Sequence, residues 1–303
     1  MKMAYLDEKM NRTAFLHDRS VQDFVQWIHG ALDQPGKFKH YYYLKKAKTY
    51  WQCDCLFDAF KRYWWPFDFY CPFFKKRISG ATFEDSFEYL SHLANLFRYA
   101  IQENNIEETK KCSFAALTWG GVINRNNDRI NEMGNRICKY FQDIQMHLSL
   151  NDVQLKGNNW VVMNSGFTKL YSLIVDDFIM YDGRVGAALG MLGRIYSAEH
   201  NLPGIPKTIE FSYGSGRVSP NAQLQNDRRN PSNTIYQLPS FNGRSSRQLE
   251  DNIKASWLVK SIADSTCSPF SSLPQNNLLN KRITAIQAAL FMIGYDVSSM
   301  QTK

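Results

Sequence analysis

Asp182 ends an apolar run, Phe178-Ile179-Met180-Tyr181, and stands directly before a segment in which Val185, Ala188, Leu189, Leu192, Ile195 and Tyr196 recur at helical spacing. That spacing predicts an aspartate at or near the N-cap of a helix, accepting backbone N–H bonds at the positive end of the helix dipole. Such a carboxylate stays ionised in a partly buried site, and the rest of the chain reads as scaffold, groove and pocket around it. Arg184 is placed to hold that carboxylate or a phosphate, with a solvent-facing ion pair as the plainer role. A helix cap without chemistry is the plainer role for Asp182 itself. Other chemistries find less support. Cys53 and Cys55 form a lone C-x-C that, even with Cys71, lacks the second pair or nearby histidine that tetrahedral zinc requires. The six histidines include no i, i+4 pair, and no G-x-S-x-G elbow occurs. Gly214-Ser215-Gly216 lacks the Lys-Ser/Thr of a phosphate loop. No metal and no cofactor are expected.

The elements around Asp182 follow from periodicity and capping. A short helix is expected over Phe167 to Ile174. Upstream, Ser20 and Asp23 make a capping box for Val21, Phe24, Val25, Ile28 and Leu32, until Pro35-Gly36 stops the pattern. Thr82 caps a helix with Glu84 and Asp85 in its first turn and Phe83, Phe87, Leu90, Ala94, Phe97 and Ile101 along one face. Another helix is expected from Asp128 to Leu148, and Trp119-Gly120-Gly121 between the two marks a turn of close backbone approach. Two more helices close the chain, near Asn252 to Ile262 and Lys281 to Ile293. No strand alternation and no internal repeat is read, so the expected class is mainly α.

With 303 residues, 44% of them hydrophobic and 14% aromatic, the chain can bury a large core, and two lobes are expected. These are a helical, aromatic and basic region (1–110) and a helical core (111–303) interrupted by a polar insertion at 212–250. That insertion contains Arg217, Arg228, Arg229, Arg244 and Arg247, and a structureless loop of its length is either disordered or functional. The net charge of +8 favours polyanionic partners, nucleic acid first. From His40 to Arg77 the composition shifts, with Tyr41, Tyr42, Tyr43, Tyr50, Trp51, Trp64 and Trp65 set among Lys45, Lys46, Lys48 and Lys61. Rings among cations suit a nucleic-acid surface; rings in a core behind a solvated lysine face are the other reading. The start of the chain shows no signal-peptide core, and nowhere do about 18 apolar residues run together as a membrane span requires. With six sparse cysteines, a soluble cytoplasmic protein with free thiols and no membrane partner is expected.

Helix, turn, helix, an apolar lead-in and an Asp that opens a helix with a Val-x-x-x-Leu face resembles the core of the helix-hairpin-helix DNA glycosylases. The matching residues are Met180 to Val185, with Asn164 to Ile174 where the second helix of the hairpin stands. The segment is more similar still to bacterial proteins with an oxoguanine-glycosylase fold, in which a T-K-x-hydrophobic helix leads to Y-D-x-R-V-x-x-A-L. Here those residues are Thr168-Lys169 and Tyr181-Asp182-Gly183-Arg184-Val185-Gly186-Ala187-Ala188-Leu189. The resemblance covers Asn164 to Tyr196 in detail and the rest in helical character. It implies a two-lobed helical glycosylase-like fold with a degenerate helix-hairpin-helix, because the family's L-P-G-V-G hairpin is reduced to Val162-Met163-Asn164-Ser165-Gly166.

The resemblance further implies that the chain binds double-stranded DNA as a monomer, with Ser165, Gly166 and Thr168 against the duplex. A modified base would be flipped into a pocket and its N-glycosidic bond hydrolysed, Asp182 stabilising the oxocarbenium-like sugar and positioning or deprotonating the water. Asn164 stands where members that form a Schiff base carry their lysine, and Lys169 is expected a turn or more out of place. A monofunctional enzyme that leaves an abasic site follows, with Lys169 as nucleophile the lesser reading. Asn164 and Arg184 are candidate substrate contacts, and Trp119 and Tyr181 are candidates to stack on the extruded base, with core roles as the alternative. Arg228 and Arg229 in the polar insertion suit a phosphate or a bulky base substituent. The insertion therefore points to a hypermodified base of the sort found in viral DNA, and so to antiviral defence. The competing classes are a non-catalytic nucleic-acid-binding module with the same fold and a helical protein–protein adaptor.

Overall fold

The computed structural model describes residues 9–36, 38–154, 158–216, 228–265, 268–274 and 278–298. The chain's first residues, Arg217 and Cys267 lie outside this set. Among the described residues helices dominate, as expected for a mainly α protein, and none is long and apolar enough to cross a membrane. A short strand β1 (Lys9–Asn11) leads into α1 (Arg12–His17) and α2 (Arg19–Leu32). The cap of α2 is Asp18, whose carboxylate accepts from the Val21 amide at 3.1 Å. The expected Ser20–Asp23 box is absent because the helix starts two residues earlier: Ser20 lies inside it and Asp23 faces Arg19 at 3.7 Å.

The aromatic and basic segment corrects the expectation of no strands. It forms two hairpins, β2 (His40–Leu44) with β3 (Thr49–Cys53) and β4 (Phe67–Cys71) with β5 (Lys76–Gly80), separated by α3 (Leu56–Lys61). In β2 burial alternates residue by residue, with His40, Tyr42 and Leu44 inward and Tyr41 and Tyr43 outward. Three consecutive tyrosines conceal that alternation in the sequence, because the same side chain serves both faces. Inward groups fasten the hairpin: Tyr42 Oη donates to the Met292 carbonyl at 2.7 Å and His40 Nε2 to the Ile293 carbonyl at 3.1 Å.

Thr82 caps α4 (Phe83–Gln102) as expected, and with Asp85 it forms a capping box. The next helix, α5 (Ile106–Trp119), was not legible as a period of large apolar residues. Its buried face is made largely of Thr109, Cys112, Ser113, Ala115 and Ala116. The single helix expected over 128–148 is two, α6 (Asn124–Met133) and α7 (Ile137–Leu148), broken at Gly134, whose φ of 52° no helix interior accommodates. After β6 (Asp152–Gln154), which pairs with β1, come α8 (Phe167–Ile174), α9 (Gly183–Glu199), α10 (Ser245–Asp264) and α11 (Lys281–Ile293). Helices α4, α5, α7 and α8 pack on one another, while α11 packs on α3, α9 and α10 and also meets α4. One buried apolar cluster runs through both groups, and residues 110 and 111, the expected lobe boundary, lie inside α5.

The described part of the polar insertion is seated rather than structureless. Gly183, Gly186, Gly190 and Gly193 share one face of α9, and the backbone of residues 209–214 lies directly upon it. A Cβ at Gly186 would stand 2.3 Å from the Ser212 carbonyl oxygen, and one at Gly183 2.7 Å from that of Gly214. Asp251 of α10 ties the segment down, accepting from the Ser212 amide at 2.9 Å, from the Ser212 hydroxyl and from Arg247 Nε at 3.0 Å. The returning strand of the insertion is held by Tyr236, whose hydroxyl reaches the Leu202 carbonyl at 2.9 Å. Helix α10 itself begins at Ser245, so its first turns lie within the expected insertion.

Gly186→Ala is expected to lower stability by about 1–3 kcal/mol, the usual cost of overpacking, read as a lower urea midpoint. At Gly204 an added Cβ meets nothing within 4 Å, so Gly204→Ala should shift stability by less than about 0.5 kcal/mol. Equal midpoints for the two variants would mean that 209–214 does not rest on α9.

Candidate active site

Residues 179–181 reach Asp182 outside any helix or strand, so side chains must satisfy their backbone polar groups. Three helices supply them. Ser256 Oγ accepts from the Ile179 amide at 3.1 Å, Gln287 Oε1 from the Met180 amide at 2.8 Å and Thr168 Oγ1 from the Tyr181 amide at 2.8 Å. Asn252 Nδ2 donates to the Ile179 carbonyl at 2.8 Å and Gln248 Nε2 to that of Tyr181 at 3.0 Å. Asp182 is thereby delivered to the start of α9 as its N-cap, as expected: Oδ1 accepts from the Arg184 amide at 2.9 Å and the Val185 amide at 3.2 Å.

The second oxygen faces a cation. Lys169 Nζ lies 3.7 Å from Asp182 Oδ2 and donates to the Ser165 carbonyl at 2.8 Å. Its side chain is only 8% exposed, against 16% for Asp182, so both charges are withdrawn from water. Helix α8 begins close to Asp182 in space, its Thr168 hydroxyl accepting from the Tyr181 amide at 2.8 Å, and presents Lys169 from its first turn. The stem of Lys169 passes over Gly120, where a Cβ would come within 2.5 Å of Cδ. The close approach expected at Trp119-Gly120-Gly121 is therefore an approach to Lys169, and Gly121 turns the chain away with a φ of 63°.

Arg184 rests on rings. Its guanidinium carbon lies 4.2 Å from the Phe291 centroid, 4.8 Å from Tyr295 and 5.6 Å from Trp65, an arrangement that fixes the cation without neutralising it. Burial pushes the Asp182 carboxyl up, but the charges of Lys169, Arg184 and Arg229 and the Val185 amide outweigh it and hold the group below the usual carboxylate range. Burial pushes the Lys169 ammonium down, and the Asp182 charge only partly offsets it against Arg184 and Arg229. The result is a permanent carboxylate beside an amine that gives up its proton more readily than an ordinary lysine.

Both groups open into a cavity of about 580 Å³. Among the described residues Lys45, Lys169, Arg184, Arg228 and Arg229 line it against one carboxylate, that of Asp182, and Tyr63, Trp65, Trp119, Phe291 and Tyr295 supply ring surface. Arg228 Nε lies 3.6 Å from Asp296. The indole N–H of Trp119 has no acceptor among the described residues.

The cavity thus gathers Asp182, Lys169, Arg184, Trp119, Ser165, Arg228 and Arg229 from the sequence candidates, and leaves out four. Tyr181 is fully buried between Phe211 and Phe241 and donates to the Ser212 carbonyl at 2.5 Å, so it is core and cannot stack on a base. Asn164 turns inward at the start of α8, accepting from the Gly166 amide at 2.7 Å and the Phe167 amide at 3.1 Å and donating to Asn126 at 3.0 Å. Those amides are spent on Asn164, so Gly166 does not offer its N–H to a phosphate. Thr168 is fully buried, bonded to Asn252 at 2.6 Å, and holds the core rather than DNA. The connection from α7 to α8 also contains β6 and a 3₁₀ turn, Asn158–Trp160, and is no tight hairpin.

Lys45 and Trp65 belong to the segment read as a nucleic-acid surface, while Tyr63, Gln287, Phe291 and Tyr295 were not singled out. Phe291 and Tyr295 stand four apart at the end of α11, a pairing that sequence shows but whose contact with Arg184 it does not. Among the described residues no three His, Cys, Asp or Glu side chains are grouped to hold a metal ion, and Cys53, Cys55, Cys71, Cys112 and Cys138 are buried free thiols. Comparison with family models, curated proteins and solved structures returned no match.

Two pH effects follow. Folded Lys169 releases its proton below the unfolded value, so its contribution makes stability rise with pH between the two; the depressed Asp182 contributes stability that is lost as pH falls through its folded value. In competitive reductive methylation followed by mass spectrometry, Lys169 should therefore react at lower pH than exposed lysines. Asp182→Asn removes the charge that favours the ammonium and should move that midpoint lower still. An unchanged midpoint would show that Asp182 does not hold the Lys169 proton.

Proposed function

We propose that the chain is a DNA glycosylase that accepts a nucleotide extruded from double-stranded DNA and hydrolyses its N-glycosidic bond. The observation that carries this reading is the buried Asp182–Lys169 pair, 3.7 Å apart, opening into a cationic, ring-lined cavity. As the bond breaks, the base leaves with the electron pair and positive charge develops on the sugar. The Asp182 carboxylate stabilises that charge and takes a proton from the water that attacks the anomeric carbon, leaving an abasic site. Arg184, Arg228, Arg229 and Lys45 meet the phosphates, and Trp65 and Trp119 flank the base. A volume of about 580 Å³ falls in the range of pockets that take drug-sized ligands, roughly 300–1,000 Å³, and suits a base with a bulky substituent. That supports a hypermodified base, and with it a role in antiviral defence, in a cytoplasmic monomer.

A second reading rests on the same pair. Lys169 is close enough to share the site with Asp182 and is pushed toward its neutral form, which is what attack on the anomeric carbon by the amine would need. The protein would then be bifunctional and cleave the strand. A non-catalytic nucleic-acid-binding module would keep the cavity and lack turnover.

The test is incubation with normal, damaged and hypermodified duplexes, followed by alkali cleavage of abasic sites. Asp182→Asn should slow base release by about 10²- to 10⁴-fold. Equal activity of the variant and the wild type sinks the assignment, and no base released from any duplex leaves the binding module. Borohydride separates the two enzymatic readings: a covalent adduct that vanishes with Lys169→Gln makes the enzyme bifunctional.

A further inference from the structure

The outer face of the β2–β3 hairpin carries Tyr41, Tyr43 and Tyr50, exposed by 62%, 43% and 76%, and Tyr50 is the most exposed large hydrophobic side chain among the described residues. The register Tyr43↔Tyr50 and Tyr41↔Gln52 puts all three on one face, with the Tyr43 and Tyr50 centroids 5.3 Å apart at 68°. They contribute little to the core, which takes His40, Tyr42, Leu44, Trp51 and Cys53 from the opposite face. From Phe38 to Cys53 the chain carries Lys39, Lys45, Lys46 and Lys48 and no Asp or Glu. The hairpin's turn is also the edge of the cavity. Lys45 lines it, the Lys45 amide donates to Tyr295 Oη at 3.3 Å, and Lys46 Nζ stands 5.7 Å from the ring of Trp65.

We propose that this face is a stacking platform for single-stranded nucleic acid, receiving unpaired nucleotides next to the one in the cavity. An exposed ring offers a base a surface that every base can use, and the lysines of the hairpin meet the phosphates between stacked bases. A duplex hides its base faces, so the platform prefers unpaired strands. The platform does not depend on catalysis; only the identity of the neighbouring nucleotide rests on the glycosylase reading.

Fluorescence anisotropy with a short labelled single strand, in the full chain carrying Asp182→Asn, tests it. Tyr43→Ala with Tyr50→Ala should weaken binding about ten- to hundredfold, whereas Tyr43→Phe with Tyr50→Phe should retain it, which separates stacking from folding. Replacing Lys45, Lys46 and Lys48 by Gln should flatten the slope of log affinity against log salt by about 2. Single-strand binding unaffected by loss of both rings overturns the proposal, as does binding of a blunt duplex of the same length that is weakened as much by that loss. Binding to phosphatidylserine vesicles without binding to the oligonucleotide would assign the face to a lipid surface and also overturn it. If single strands bind through these rings while no DNA yields free base, the platform stands and the glycosylase reading falls; if base is released while the Ala variant binds as wild type, the reverse holds.

Discussion

An ionised carboxylate and an ammonium buried side by side set the terms for the rest of this structure. Withdrawing either charge from water costs several kcal/mol, and attraction between them at 3.7 Å returns that only when their remaining hydrogen-bonding capacity is met. Two α9 amides meet it for Asp182 and the Ser165 carbonyl meets it for Lys169. The balance is not symmetrical. Burial pushes the ammonium down and the Lys169 charge pulls the carboxyl down, and Arg184 and Arg229 add positive potential that moves both groups further the same way. The pair is thus biased toward an anion next to a labile proton, the state useful for acid–base or nucleophilic work.

Holding such a pair demands rigidity from elements distant in sequence. Lys169 comes from α8 and Asp182 from the end of a segment whose backbone is satisfied by Thr168, Asn252, Ser256, Gln248 and Gln287. The glycine face of α9 lets residues 209–214 lie against it, and Gly294 at the end of α11 approaches so closely that a Cβ would stand 1.8 Å from the Arg184 carbonyl oxygen. Backbone is packed on backbone at both ends of the site. Side chains there could not adapt, so the geometry is carried by absent atoms as much as by present ones.

Elements with large apolar residues at a clean period were legible. The helices at α4, α8, α9 and α11 appear where spacing and caps place them, and Asp182 caps α9 as its position dictates. Elements built otherwise were not. Helix α5 buries Thr, Cys, Ser and Ala, which carry little periodic signal, and the β2 alternation is masked by tyrosines on both faces. The candidate residues divided as well: Lys169 and Trp119 line the cavity, while Tyr181 and Thr168, equally capable by type of contacting a ligand, are sealed in the core.

The sequence by itself determined that the chain is mainly helical, that Asp182 opens α9, and that a turn of close approach follows Trp119. Each rests on interactions within a few residues, which local spacing encodes. Only the tertiary structure decided that Lys169 meets Asp182, that Arg184 lies on Phe291 and Tyr295, that Asn164 spends its oxygen on α8, and that the β2–β3 turn borders the cavity. Those contacts join α8, α9, α11 and a hairpin from the other end of the chain, and they are set by which faces bury together, a property of the packed whole.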